Sequence, residues 1–224
     1  MTEAQQKKKG CSPVVVVVVA VVGIFLGITV IAILASIAVP VYSVIQARAA
    51  RTKALAQAKQ IHLALAEYAI DHNGLFPTAQ SDSNSAFRQL FNDRFQDERI
   101  FYVPGCAFHE SLAPGQTKPD NDVGAPPDYV YGLERGENHW AYVTGLNNGS
   151  EGHLPLVADG FSHAIGQYSD NPQEIGGVWE GEAAIVIRVD GSGKMEKPDL
   201  NDLRVYERNR LYPVLATSRH YVTR

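Results

Sequence analysis

Residues 14–73 read VVVVVVAVVGIFLGITVIAILASIAVPVYSVIQARAARTKALAQAKQIHLALAEYAIDHN, two helix signals in series joined at Pro40. Between Pro13 and Pro40 no residue carries charge, and the only hydroxyls are Thr29 and Ser36. At 1.5 Å rise per residue, the segment from Val14 to Val39 reaches roughly 39 Å, more than a hydrocarbon core of about 30 Å. The run therefore predicts a membrane-spanning helix. A secretory signal has an apolar core of about 7–15 residues before a small-residue cleavage site. This run is about twice as long, so an uncleaved anchor is expected. A lipoprotein signal is a poor fit, because Cys11 precedes the apolar run rather than following it.

After Pro40 the pattern changes without losing its helical character. From Tyr42 to His72 there is no Gly or Pro, and strong helix formers dominate. Apolar positions recur at Val44, Ala47, Ala54, Ala58, Ile61, Leu65 and Tyr68 in steps of three and four, with Arg51 standing in the series. One apolar stripe on a polar helix is the consequence. Asn73-Gly74 supplies the left-handed residues that end it. Pro40 removes a backbone hydrogen bond and crowds the carbonyl four residues earlier, so a kink or local melting is expected there. The expected organisation is a polar terminus (1–13), a spanning helix (14–39), its amphipathic continuation (40–73) and a head (74–224).

Charge limits both orientation and partners. Lys7, Lys8 and Lys9 precede the anchor, but Arg48, Arg51 and Lys53 follow it, so the positive-inside comparison is nearly balanced. The short polar N-terminus favours a cytoplasmic N-terminus and an external head. The formal net charge of −4 includes no basic field, so nucleic acid is not an expected partner. The two cysteines, Cys11 and Cys106, flank the anchor on opposite sides, so no intramolecular disulfide is expected. Cys106 reads as a small buried hydrophobe or a reactive thiol.

Within the head, SNSAFRQLFNDRF (83–95) predicts a short helix burying Ala86, Phe87, Leu90, Phe91 and Phe95. Strands are predicted at Ile100–Val103, Tyr129–Leu133, Trp140–Thr144, Leu154–Ala158 and Ala183–Val189. Asp159-Gly160 ends the fourth, and Asp190-Gly191-Ser192-Gly193 closes a hairpin onto Lys194-Met195-Glu196. A long helix followed by short, locally connected strands predicts an α+β fold with the helix packed on a small antiparallel sheet. The tail from Asp199 to Arg224 is charged and is assigned no element.

The apolar segment ending Ile37-Ala38-Val39-Pro40, then Tyr42, the Ala/Arg/Lys-rich amphipathic half and the closing Glu67-Tyr68…Asn73-Gly74-Leu75-Phe76-Pro77 together resemble the N-terminal helix of type IV pilins and type II secretion pseudopilins. The likeness covers roughly 60 residues. It implies a structural subunit stored in the bacterial inner membrane, with a periplasmic head and partners among membrane lipid, other pilin-like subunits or secretion machinery. Pro40, Ile61, Leu65 and Tyr68 would then serve as helix join and assembly helix. The chain departs from the family at its start. Aligning Pro40 with the family's helix proline puts the first mature residue at Val19 and the docking glutamate at Gly23. The only lysine-preceded glycine, Gly10, is followed by Cys11-Ser12-Pro13. An anchored periplasmic module that binds a ligand or protein without polymerising is the alternative.

Chemical motifs in the head are fragmentary. Gly160-Phe161-Ser162-His163-Ala164 has part of a nucleophile elbow, but Gly166, Asp170, Asn171 and Pro172 interrupt the helix an elbow requires. Gly191-Ser192-Gly193-Lys194 lacks the earlier glycine and the following Ser or Thr of a phosphate loop. Cys106 and His109 have half a zinc spacing without a second half, and His139, His153 and His163 are dispersed. Ser169-Asp170-Asn171-Pro172-Gln173-Glu174 offers oxygens without regular calcium-loop spacing. Asn148-Gly149-Ser150 fits a glycosylation sequon but reads as a turn. Tyr129, Tyr131, Trp140, Tyr142 and Trp179 read as a packed sheet face or a binding platform. No catalytic residue, metal ligand, cofactor or small-molecule substrate is expected.

Overall fold

A computed structural model describes residues 13–78, 82–91, 94–112, 114–162, 166–199, 206–207 and 210–211. Lys7, Lys8, Lys9, Gly10, Cys11, His163 and most of the 199–224 tail lie outside the described residues. The first helix, α1, runs Pro13–Asp71 and stays helical through Pro40. The chain divides into two compact units, Met1–Ala49 and Ala50–Arg224.

In the first unit, Val16–Ser36 is long and apolar enough to cross a membrane, and none of it is buried in the protein. Its two hydroxyls are satisfied inside the helix. Thr29 Oγ1 donates to the Phe25 carbonyl at 2.8 Å, and Ser36 Oγ donates to the Ile33 carbonyl at 2.7 Å. Such back-bonding removes the need for water at either hydroxyl, which suits a helix in hydrocarbon.

In the second unit, α1 buries one face. Ala54, Ala58, Ile61, Ala64, Leu65 and Ala69 join a core with Phe87, Leu90, Phe101, Trp140, Tyr142, Leu156, Ile185 and Ile187. The alanines keep that face narrow, so large side chains of the head fill the space against the helix backbone. Arg51 stands in the apolar series because it has a polar destination. Its guanidinium pairs with Glu182 at 2.5 Å and sits 6.0 Å over the Trp179 ring. The helix ends where Asn73 and Gly74 turn left-handed (φ 55° and 83°), and the Gly74 N–H donates back to the Ala69 carbonyl at 2.7 Å.

The sheet is an antiparallel meander in the order β1 (Trp140–Tyr142), β2 (Pro155–Asp159), β3 (Ala184–Arg188), β4 (Gly193–Glu196). Register pairs Trp140 with Asp159, Ala158 with Val186 and Ile185 with Met195. Ile185 and Ile187 face the main core, while Ala184 and Val186 join Ala141, Ala158, Phe161 and Tyr168 in a second cluster. Both faces of β3 are therefore covered, which is why Ala184–Ile187 is a continuous apolar run rather than an alternating one. A further pair, β5 (Tyr206–Glu207) and β6 (Arg210–Leu211), is antiparallel. The architecture is α+β, as predicted, with the hairpin at Asp190–Gly193 in place.

Three predicted elements are corrected. Ile100–Val103 is not a strand: Glu98–Phe101 forms a 3-10 turn, with Asp97 accepting from the Arg99 N–H at 2.9 Å. Its apolar run arises from Phe101 and Val103 entering the core through a turn. Tyr129–Leu133 is not a strand either, since Tyr129 (φ 43°) and Leu133 (φ 53°) are left-handed and Gly132 N–H closes a turn onto the Tyr129 carbonyl at 2.9 Å. The 83–95 helix is shorter than predicted. Asp82 caps α2 (Ser83–Phe87), a 3-10 turn follows at Arg88–Leu90, and Phe95 reaches the core edge from beyond it.

Candidate functional site

Polar side chains that sequence reading left scattered converge where β1 and β2 begin and end. His139 precedes β1, its N–H bonded to the Phe101 carbonyl at 3.0 Å. Asp159 is the last residue of β2, across the ladder from Trp140. Cys106 lies on the loop before a 3-10 turn at Ala107–Ser111. His139 Nδ1 stands 3.0 Å from Cys106 Sγ, and its Nε2 stands 2.7 Å from Asp159 Oδ1. The other Asp159 oxygen accepts from Trp179 Nε1 at 2.9 Å and from the Ile185 N–H at 2.5 Å. Cys106, His139 and Asp159 are 4%, 1% and 0% exposed.

The pattern of donors fixes the imidazole. Asp159 accepts in every contact, so Nε2 carries the proton and Nδ1 is turned to the sulfur. Burial alone would lower the His139 pKa, but the Cys106 sulfur and the Asp159 carboxylate outweigh it and push the ring up to about 10. Gly160 permits the packing around the site: a Cβ there would lie 2.3 Å from Phe108 and 2.6 Å from the His139 carbonyl. Chemically, this is a cysteine sulfur beside an imidazole, with the imidazole oriented by a carboxylate.

A second polar cluster holds the loops below. Glu98 Oε1 accepts from the Asn121 N–H and Oε2 from the Leu133 N–H, both at 2.9 Å. One oxygen each of Glu98, Asp120 and Glu137 lies within 4.8 Å of the other two, a grouping able to hold a cation. Burial, helped by the neighbouring Glu137 charge, pushes Glu98 up to about 7. Burial also raises Glu137. Asn138 is buried beside them, donating to Ser83 Oγ, Asn84 Oδ1 and the Trp140 carbonyl while accepting from the Trp140 N–H.

The motif fragments resolve into structural roles. Cys106 faces His139 rather than His109, whose ring nitrogens meet the Gly136 and Val103 carbonyls. Ser162 is buried, its N–H bonded to the Gln167 carbonyl at 2.7 Å, and no helix follows it among the described residues. The Gly191-Ser192-Gly193 segment is the β3–β4 turn, closed by Gly191 N–H on the Arg188 carbonyl at 3.0 Å. In the 169–174 loop, Glu174 accepts from Ser169 Oγ at 2.8 Å and Asn171 Nδ2 at 3.2 Å, so the oxygens serve the loop itself. Trp140, Tyr142, Tyr129 and Trp179 are core side chains, whereas Tyr131 is exposed.

Of the helix residues singled out from sequence, Ile61 and Leu65 are fully buried in the main core. Tyr68 is half-buried: its hydroxyl donates to Gln89 Oε1 at 2.9 Å, and its ring stacks on His72 at 3.7 Å. Leu63 and Ile70, on the other side of the same helix, are 59% and 76% exposed. Sequence reading did not bring Cys106, His139 and Asp159 together, because separations of 33 and 20 residues carry no motif. Comparison with protein-family models, curated proteins and solved structures found no match to this chain.

Proposed function

We propose that this chain is a pilin-like structural subunit of the bacterial inner membrane, belonging to a type II secretion or type IV pilus-like assembly. The observation that carries the reading is α1: one 59-residue helix with an unburied apolar first part and a later part that forms the core face of an antiparallel head. In this reading the apolar part holds the subunit in lipid, and the head lies in the periplasm. Assembly contacts come from helix surface not used by the head, including Leu63 and Ile70.

The missing docking glutamate favours a second reading, in which the anchored head binds a partner without polymerising. Terminal mass spectrometry, combined with recovery from sheared surface filaments, separates the two. Cleavage after Gly10 and presence in filaments support the subunit. An intact Met1 terminus with no recovery in filaments overturns it.

A further inference from the structure

The anchor and sheet account for the fold, but neither requires a cysteine aligned with a histidine and an aspartate. A buried thiol serving only as a small hydrophobe needs no base at 3.0 Å, and a valine or alanine would fill the space without one. The arrangement instead satisfies both geometric conditions for an activated nucleophile: a base within hydrogen-bond reach, and a third group orienting that base. Two further donors, Trp179 Nε1 and the Ile185 N–H, hold the carboxylate in place.

We propose that Cys106 is a reactive thiolate, paired with the His139 imidazolium and braced by Asp159, whose substrate is a small neutral hydroperoxide. The size limit follows from burial. Cys106, next in sequence to the exposed Pro104-Gly105 turn, retains only 4% exposure, which excludes a peptide or a bulky acyl group and leaves a small uncharged molecule as the substrate class. In the reaction, the sulfur lone pair attacks one peroxide oxygen and the O–O bond breaks. The departing hydroxide or alkoxide takes the proton from His139 Nδ1. The products are the Cys106 sulfenic acid, water or an alcohol, and neutral His139; sulfur is oxidised by two electrons and the peroxide reduced. This inference does not depend on assembly.

Other titratable groups face the pair. Burial, together with the Cys106 charge, raises the Tyr102 phenol. Burial lowers His109 to about 4, so that ring is neutral where the pair works. Asp159 is the carboxylate set against His139 Nε2.

The test uses the full chain in detergent micelles with Cys11→Ser, leaving one thiol. Hydrogen peroxide is added between pH 6 and 9, and sulfenic acid is trapped with dimedone and read by intact mass. The expected rate is nearly flat across that range, whereas an ordinary thiol of pKa about 8.5 slows about tenfold per pH unit below it. Asp159→Asn should restore the ordinary slope and lower the rate at pH 6.5 at least about tenfold. Tryptophan fluorescence confirms that this variant is folded, and thiolate absorbance at 240 nm in the unsubstituted site gives an independent readout. An ordinary thiol slope in the native protein, or modification only as fast as global unfolding, would overturn the proposal.

Discussion

Leu65 and Leu63 are two residues apart on one helix and chemically identical, so truncating each isolates the face of α1 that holds the head together. Leu65 is fully buried in the main core, whereas Leu63 is more than half exposed. Leu→Ala in a core costs about 2–5 kcal/mol, from lost transfer energy plus the cavity left behind. An exposed substitution away from caps and pairs stays within about 0.5 kcal/mol. With a urea m-value of about 2 kcal/mol/M, a mid-range loss of about 3 kcal/mol lowers the Leu65→Ala midpoint by about 1.5 M. Leu63→Ala should move it by less than about 0.3 M. Both tryptophans, Trp140 and Trp179, lie in this core, so fluorescence in micelles reports the head directly. Equal shifts for the two variants, or a larger one for Leu63→Ala, would refute the assigned helix face.

Gly74 combines left-handed backbone with a close neighbour, since a Cβ there would lie 2.6 Å from Asn148 Oδ1, while Gly105 has the same φ of 83° and open space. Gly74→Ala should therefore destabilise the head by more than Gly105→Ala, which itself costs about 1 kcal/mol, when both are measured by urea melts. Asn138→Ala leaves several buried groups around Ser83, Asn84 and Trp140 without their partner, and should cost about 3 kcal/mol in the same assay. Glu98 titrates at about 7 in the folded protein against 4.5 when unperturbed, so the native state binds more protons between these values. Its contribution to stability is thus greatest at acid pH and falls as pH rises from about 4.5 through about 7. Glu137→Gln removes a like charge and should lower the Glu98 titration midpoint, read by carboxyl carbon NMR; an unchanged midpoint would contradict the assignment.

Much of the fold was legible because its signals are local. The apolar run, the three-and-four spacing from Ala54 to Leu65, Asn73-Gly74 and the Asp190–Gly193 hairpin each depend on neighbours in sequence. Arg51 looked like a fault in the stripe only because Glu182 and Trp179, its partners, are distant. The strand errors share one cause. Phe101, Val103, Tyr129 and Leu133 are apolar because they reach the core, yet they do so from turns shaped by Glu98 and by left-handed backbone. Periodicity over four or five residues does not separate such turns from strands. The thiol site was hidden for a related reason. Asp159 beside Gly160 has the composition of a strand end, and only the β1–β2 register sets its carboxylate against His139.

In the proposed reading, the apolar part of α1 crosses the inner membrane with the head outside the cytoplasm. Protease treatment of spheroplasts expressing the chain tests it most directly. Externally added protease should remove the head and leave an alkali-resistant membrane fragment containing residues 14–39. A head protected until the membrane is lysed, or a chain released intact by alkaline extraction, would contradict it.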